Sequence, residues 1–271
     1  EITERDWSSD VCSSDLPEPG IAVVTLNRPK SRNALSLGMM AALQVAFEML
    51  GDDPEIAAII LAANGPAFSA GHDLKEMTAH RADADKGRAF FSETMDRCAG
   101  LMQTIIKCPK PVVAAVEATA TAAGCQLVAS CDLAVAADTA KFCTPGVNIG
   151  LFCSTPMVAL SRNVPRKRAM EMLLLGELIS AEEAAQYGLV NKAVAKDSVM
   201  EEALTYGRRI VAKSPATVAI GKEAFYNQIE QPLGEAYDYA VGVMVKNMLY
   251  RDAEEGIGAF LDKRKPEWKG Y

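Results

Sequence analysis

Short apolar runs alternate with helical segments as far as about Val194, and helices alone follow. That order admits an α/β core carrying a helical appendage, and little else. Residues 21–26, 56–63, 112–116, 133–136 and 189–193 read as strands, bounded by turn residues such as Asn27-Arg28-Pro29 and Asn64-Gly65-Pro66. Ser36 reads as the N-cap of a helix over 37–50, and Ser180-Ala181-Glu182-Glu183 as a capping box whose helix stops at Gly188. Residues 83–106 form a polar helical segment, charged enough to suggest a mobile lid. Residues 142–149, with Pro145 and Gly146, read as loop or strand, and helices follow at 156–163 and 166–175. Four more cover 200–213, 216–228, 233–249 and 251–263. The division is therefore a core at 17–197 and a helical region at 198–271. Residues 1–16, EITERDWSSDVCSSDL, lack a period and read as a disordered or foreign extension, with order beginning at Gly20. The segment has no apolar centre for a signal peptide and too many acids for a transit peptide.

Composition narrows the function. With 271 residues, 49% of them hydrophobic, the chain can bury a sizeable core. A formal net charge of −7 argues against nucleic acid or an anionic membrane as partner, so any phosphorylated ligand needs a local basic cluster. Seven cysteines without a C-x-x-C pair point to a reduced intracellular protein with thiols in its core. Two histidines, His72 and His80, are too few for a His-based metal site, and no metal is expected. Glu117, Gln126 and Asp132 interrupt the longest apolar stretch, so no membrane span is expected.

The stretch Ala120-Thr121-Ala122-Ala123-Gly124-Cys125-Gln126-Leu127 places small residues at the mouth of a helix. Unpaired N–H groups and the helix dipole there favour developing negative charge. The alternative is that small residues let a buried helix pack tightly. A second glycine loop, Gly71-His72-Asp73, likewise follows an apolar strand and precedes a helix. Two such loops can aim two backbone N–H groups at one carbonyl oxygen.

The segments TLNRPKSRNALS, AFSAGHDLKEM, TAAGCQLVASCDLAVA, GELISAEEAAQYGLV and AFLDKRKPEW, taken in this order, resemble the crotonase (enoyl-CoA hydratase/isomerase) superfamily over about residues 20–268. The resemblance implies a spiral of repeated β-β-α units with an all-helical C-terminal trimerisation region, as a homotrimer or a dimer of trimers. It implies an acyl-CoA thioester as ligand, with coenzyme A entering as part of the substrate and no tightly bound cofactor. By motif position the backbone N–H groups of His72 and Ala123 would form the oxyanion hole. Arg28, Lys30, Ala70 and Lys75 would face CoA, and Phe260 and Lys263 would lie on the terminal helix that reaches its nucleotide end.

Two departures stand out. Hydratases of this family hold a water between two glutamates, and here the matching positions carry Gln126 and Gly146. A third place used by other branches carries Ser154. Glutamine bonds a water without accepting its proton, and each lost acid or base typically costs about 10²–10⁴-fold. The His72 imidazole and the thiols of Cys125, Cys143 and Cys153 are possible substitutes, the thiols alternatively being inert core groups. Asp73 and Glu76 suit a helix start. Alanine at 118, 122 and 123, where glycine is usual, narrows the space near the thioester. Three readings follow: an acyl-CoA enzyme with altered chemistry, a non-catalytic acyl-CoA-binding protein, and a hydratase with a carboxylate rearranged from the lid. The expected compartment is the cytoplasm, the alternative the mitochondrial matrix.

Overall fold

A computed structural model describes residues 12–271. Of the expected extension, residues 1–11 lie outside the described residues. Residues 12–16 belong to strand β1 (Cys12–Glu18), antiparallel to β2 (Ile21–Leu26), so order begins before Gly20. The physical reason is a two-residue period that the Ser- and Asp-rich composition conceals. Cys12 and Ser14 are buried while Asp15 and Pro17 face solvent. Gly20, with φ of +78°, makes the turn between the strands.

The chain continues through α1 (Leu37–Asp52), β3 (Ala58–Ala63), β4 (Ala67–Ser69), α2 (Leu74–Ala79), α3 (Arg88–Lys107), β5 (Val112–Val116), β6 (Thr119–Thr121) and α4 (Ala123–Ser130). Next come β7 (Leu133–Ala137), β8 (Lys141–Cys143), α5 (Pro156–Asn163), α6 (Arg166–Leu175), β9 (Ile179–Ser180), α7 (Ala181–Tyr187) and β10 (Lys192–Val194). Four helices close it: α8 (Val199–Val211), α9 (Pro215–Gln228), α10 (Leu233–Met248) and α11 (Arg251–Leu261). One sheet has the order β1-β2-β3-β5-β7-β10, parallel from β2 onward, and a second has the order β4-β6-β8-β9. Three successive turns place one strand in the first sheet, a short strand in the second, and then helix: β3-β4-α2, β5-β6-α4 and β7-β8-α5. This is the spiral of β-β-α units that the resemblance implies.

Central strands such as β5, buried at every residue, are apolar without alternation because both faces are covered. One cover is α8, which packs on β2, β3, β5 and β7. A Cβ at Gly207 would stand 2.9 Å from Cδ1 of Ile21, so glycine sets that approach. Helix α8, the first of the region expected to be an appendage, is thus packed on the core sheet. The strand expected at 189–193 also shifts. Leu189 and Val190 are buried as the cap of α7, their N–H groups bonding the Ala184 carbonyl at 2.9 and 3.3 Å after Gly188 turns left-handed.

A buried charge cluster ties α9 to this core. The Lys222 ammonium, on a side chain 7% exposed, donates to the carbonyls of Ile105 and Lys110 at 3.0 Å each and to Asp132 Oδ2 at 2.7 Å. Asp132 also accepts from Val112 N–H at 2.7 Å and Tyr226 OH at 3.0 Å. Burial pushes the Asp132 carboxyl up, against the pull of the Lys222 cation and these donors. Lys222→Met should therefore cost about 3–5 kcal/mol in urea unfolding at pH 7, since it strands a buried carboxylate. A folded-state pKa above the unfolded value favours the folded form as pH falls, so the deficit should narrow between pH 7 and pH 5.

Candidate active site

Strands β4, β6 and β8 run parallel and adjacent in the second sheet, so their C-terminal ends deliver three connections to one edge. These are Ala70–Asp73, Ala122–Ala123 and Thr144–Gly146. Ligands of open parallel sheets bind at this edge.

The first loop is fixed by a bridge. Leu35 N–H donates to Gly71 O at 2.8 Å, and Asp73 N–H reaches Leu35 O at 3.4 Å. In such a pairing the N–H of the middle residue, His72, points away from Leu35. The second loop turns at Ala122, whose φ of +50° and ψ of −119° are rare for any residue but glycine. Ala122 N–H continues the sheet by donating to Cys143 O at 2.9 Å, its carbonyl accepts from Gln126 N–H at 3.0 Å, and the following amide opens α4. Among the described residues, neither His72 N–H nor Ala123 N–H has an acceptor.

The loops touch. A Cβ placed on Gly71 would meet Ala122 Cβ at 2.9 Å and Ala123 N at 3.2 Å, and one on Gly124 would meet Ser69 O at 2.3 Å. Glycine at 71 and 124 is therefore what permits the contact. The turn bearing Arg28 and Lys30 is joined to the same edge. Ala70 N–H donates to Arg32 O at 3.0 Å, and Ser69 Oγ donates to Asn33 O at 2.9 Å. The fully buried Asn33 amide bonds Asn64 O and Ala67 O at 2.8 and 2.9 Å. Arg28 donates to Ser36 Oγ at 3.0 Å, while Lys30 and Lys75 are exposed. The turn that carries Arg28 and Lys30 is thus bonded to the loop that carries Ala70 and His72, and Lys75 lies in the first turn of α2 beyond that loop.

Asp73 and Glu76 are structural. Asp73 Oδ1 accepts from the N–H groups of Lys75 and Glu76 at 3.1 and 3.2 Å, and Glu76 Oε2 accepts from Leu37 N–H at 3.2 Å. Phe260 lies in the last turn of α11, which packs on α9 and α10, and Lys263 follows its end. Among the described residues, no hydrogen bond or ion pair links that end to the loops of His72 and Ala123.

Gln126 is 5% exposed and its Oε1 faces Cys98 Sγ of α3 at 3.7 Å. Gly146 has no room for a side chain, because a Cβ there would stand 2.8 Å from Leu151 O and 2.9 Å from Cys153 Sγ. Backbone and a neighbouring thiol thus occupy the space that a side chain at position 146 would need. Ser154 is exposed, its hydroxyl on Phe152 O at 3.3 Å. The region expected to be a lid is half anchored, with Thr94, Cys98, Leu101, Met102 and Ile105 of α3 buried. Its carboxylates Glu93 and Asp96 face solvent.

Burial lowers the His72 pKa, so the imidazole stays neutral. Both its ring nitrogens are enclosed without a hydrogen-bond partner, as is Thr144 Oγ1, a group with no signal in the sequence. Burial raises every thiol near the site: Cys98 to about 12, Cys143 to about 11, and Cys125 and Cys153 upward. They are thiols at neutral pH, the inert alternative. No three His, Cys, Asp or Glu side chains group as a metal site among the described residues. A cavity of about 260 Å³ lies elsewhere, between the end of α3 and helices α9 and α10, near Lys107, Ile220, Lys246 and Tyr250.

Fold and loops together define a class. Residues 17–271 match the enoyl-CoA hydratase/isomerase family, and the chain belongs to it. Among its relatives, the human protein named enoyl-CoA hydratase domain-containing protein 3, mitochondrial, is 50% identical over 249 residues, 92% of this chain and 80% of the human one. The crystal structure of that human protein superposes with a TM-score of 0.89 at 48% identity, covering 95% of this chain and 99% of the other. A crystal structure described as enoyl-CoA hydratase from Mycobacterium smegmatis gives 0.91 at 50% identity, covering 96% and 99%.

Two measurements test this geometry. Ala122→Gly should stabilise the fold by about 1 kcal/mol, relief of about 1–3 kcal/mol of strain less the added freedom of an unfolded glycine. Gly71→Ala should cost about 1–3 kcal/mol by overpacking, both read by urea unfolding. Iodoacetamide at pH 8 should leave Cys98 and Cys125 unlabelled in the native protein and label them in urea.

Proposed function

We propose that the chain binds acyl-CoA thioesters and stabilises a thioester enolate through the N–H groups of His72 and Ala123, without ordinary hydratase activity. The single observation carrying this is the contact of the two loops, which leaves both N–H groups free beside each other. Such a donor contributes about 2.7–4 kcal/mol to a transition state, which suits reactions that form an enolate with little protein acid or base. Substrate-assisted decarboxylation and isomerisation are of this kind. Gln126 and the occupied space at Gly146 support the expectation that hydration is weakened.

Non-catalytic acyl-CoA binding is the second reading, favoured by Ala122, whose Cβ occupies space beside the loops. The carboxylate rearranged from the lid has no support, since Cys98 rather than Glu93 or Asp96 meets Gln126. A homotrimer, alone or as a pair, is proposed from the face of α10 that exposes Leu233, Tyr237, Val241, Met244 and Met248. The mitochondrial names of the vertebrate relatives favour the matrix over the cytoplasm. No helix among the described residues is long and apolar enough to cross a membrane.

Thermal shift with a panel of acyl-CoAs should show stabilisation of about 2.7 kcal/mol at 100 times Kd, and no shift with any ester would overturn the proposal. Crotonyl-CoA hydration should lie at least about 10²-fold below a two-glutamate enzyme of the family. The double variant Gln126→Glu/Gly146→Glu should remain within about tenfold of the parent, because the backbone of Leu151 blocks the second acid. Recovery to family rates would show instead that only the acids are missing.

A further inference from the structure

Gln126 stands three residues after Ala123 in α4, one turn along the same face of the helix. Helical side chains lean back toward the N-terminus, so the Gln126 amide is carried toward the mouth where the Ala123 N–H is open.

The two ends of that amide have different surroundings. Oε1 takes the thiol of Cys98, on α3, at 3.7 Å. Cys98 is fully buried, and burial pushes its pKa up to about 12, so at neutral pH the sulfur keeps its proton and donates it. A donor at that place fixes the planar amide with its oxygen on α3 and its nitrogen turned away. Among the described residues Nε2 has no hydrogen-bond partner. Yet it is not one of the enclosed orphan atoms, which are the His72 ring nitrogens and Thr144 Oγ1, so Nε2 stays open to solvent. A side chain only 5% exposed thus keeps its amide N–H groups free. A glutamate at this position could only accept; this glutamine offers donors, because its one acceptor is already taken.

The charge of the surroundings narrows what those donors can meet. Burial alone sets the Cys98 shift, with no cation adding to it. A carboxylate brought against Nε2 would lose water without gaining a counter-ion, whereas a ketone oxygen brings no charge.

We propose that Gln126 is a specificity-determining residue, held by Cys98 as a hydrogen-bond donor for the ketone oxygen of a 3-oxoacyl thioester. The inference rests on the acyl-CoA reading above and names its acyl class. With the thioester oxygen at His72 and Ala123, an oxygen on the third carbon stands within about one helical turn of it, which is the offset of Gln126 along α4. A 3-oxo group also suits an enolate formed with little help from a protein base. Its charge spreads over both oxygens, and each then meets a donor.

The test compares acetoacetyl-CoA with butyryl-CoA, which has the same carbon chain without the ketone, by calorimetric titration of the full chain. The parent should bind acetoacetyl-CoA about 3- to 10-fold more tightly, the scale of one net hydrogen bond. Gln126→Met, similar in length and without a donor, should bring that ratio to about one. Cys98→Ala frees the amide to turn and should reduce the ratio, while Cys98→Ser, which keeps a donor, should retain it. Malonyl-CoA, with a carboxylate on the same carbon, should bind the parent more weakly than acetoacetyl-CoA. A parent ratio near one, a ratio unchanged in Gln126→Met, or tighter binding of malonyl-CoA would overturn the proposal. So would a ratio unchanged in Cys98→Ala, or an equal loss in Cys98→Ala and Cys98→Ser. Cys98→Ala supplies the answer where Gln126→Met fails to fold, since it removes one sulfur and leaves Gln126 in place. Absence of binding by all three esters to the parent would instead overturn the acyl-CoA reading itself.

Discussion

Everything proposed for this protein depends on two backbones lying closer than side chains allow. At Gly124 a Cβ would stand 2.3 Å from Ser69 O, and at Gly71 one would press on Ala122 and Ala123. Each contact is possible only where a methyl group is missing. Together they bring the end of β4 against the mouth of α4, where an amide turned off the sheet by Ala122 meets one turned off the bridge by Leu35. The remaining pieces serve that contact. Asn33 and Ser69 sew the basic turn to it, Asp73 and Glu76 cap the helices leaving it, and the parallel order β4-β6-β8 brings the loops to one edge.

The proposed enolate chemistry asks less of the protein than hydration does. Two preorganised donors stabilise charge where it develops, and they need no proton transfer by the protein. Hydration needs a water deprotonated on one side and a carbon protonated on the other, and in the proposed reading Gln126 and Gly146 offer no carboxylate for either step. The neighbouring thiols do not substitute, because burial holds their protons. Burial likewise holds the His72 ring neutral.

How much was legible in the sequence follows from the range of each signal. Caps and stops are local chemistry, so Ser36, Ser180 and Gly188 were read correctly from a few residues. Buried parallel strands announce themselves by apolar runs, and β2, β5 and β7 were found where expected. Strands of two or three residues carry no period, so the second sheet was visible only through the family resemblance. Leu189 and Val190 misled because an apolar pair capping a helix looks like a strand. Gln126 and Gly146 could be recognised as substitutions, but the filling of the space at Gly146 by Leu151 and Cys153 could not. That depends on a close approach between residues that no sequence period connects.

The strain at Ala122 bears on whether the site is maintained or decaying. A left-handed residue with a Cβ costs of order 1–3 kcal/mol and persists only where its surroundings impose it. Here they do: the N–H is committed to Cys143 and the carbonyl to Gln126 N–H, so the peptide cannot relax without breaking the sheet or unwinding the first turn of α4. The same two bonds turn the Ala123 amide outward. A loop free to drift would settle into an unstrained turn and pair that amide with a carbonyl. Instead the chain sustains the strain and leaves Ala123 N–H open, which is the arrangement a bound thioester oxygen would use.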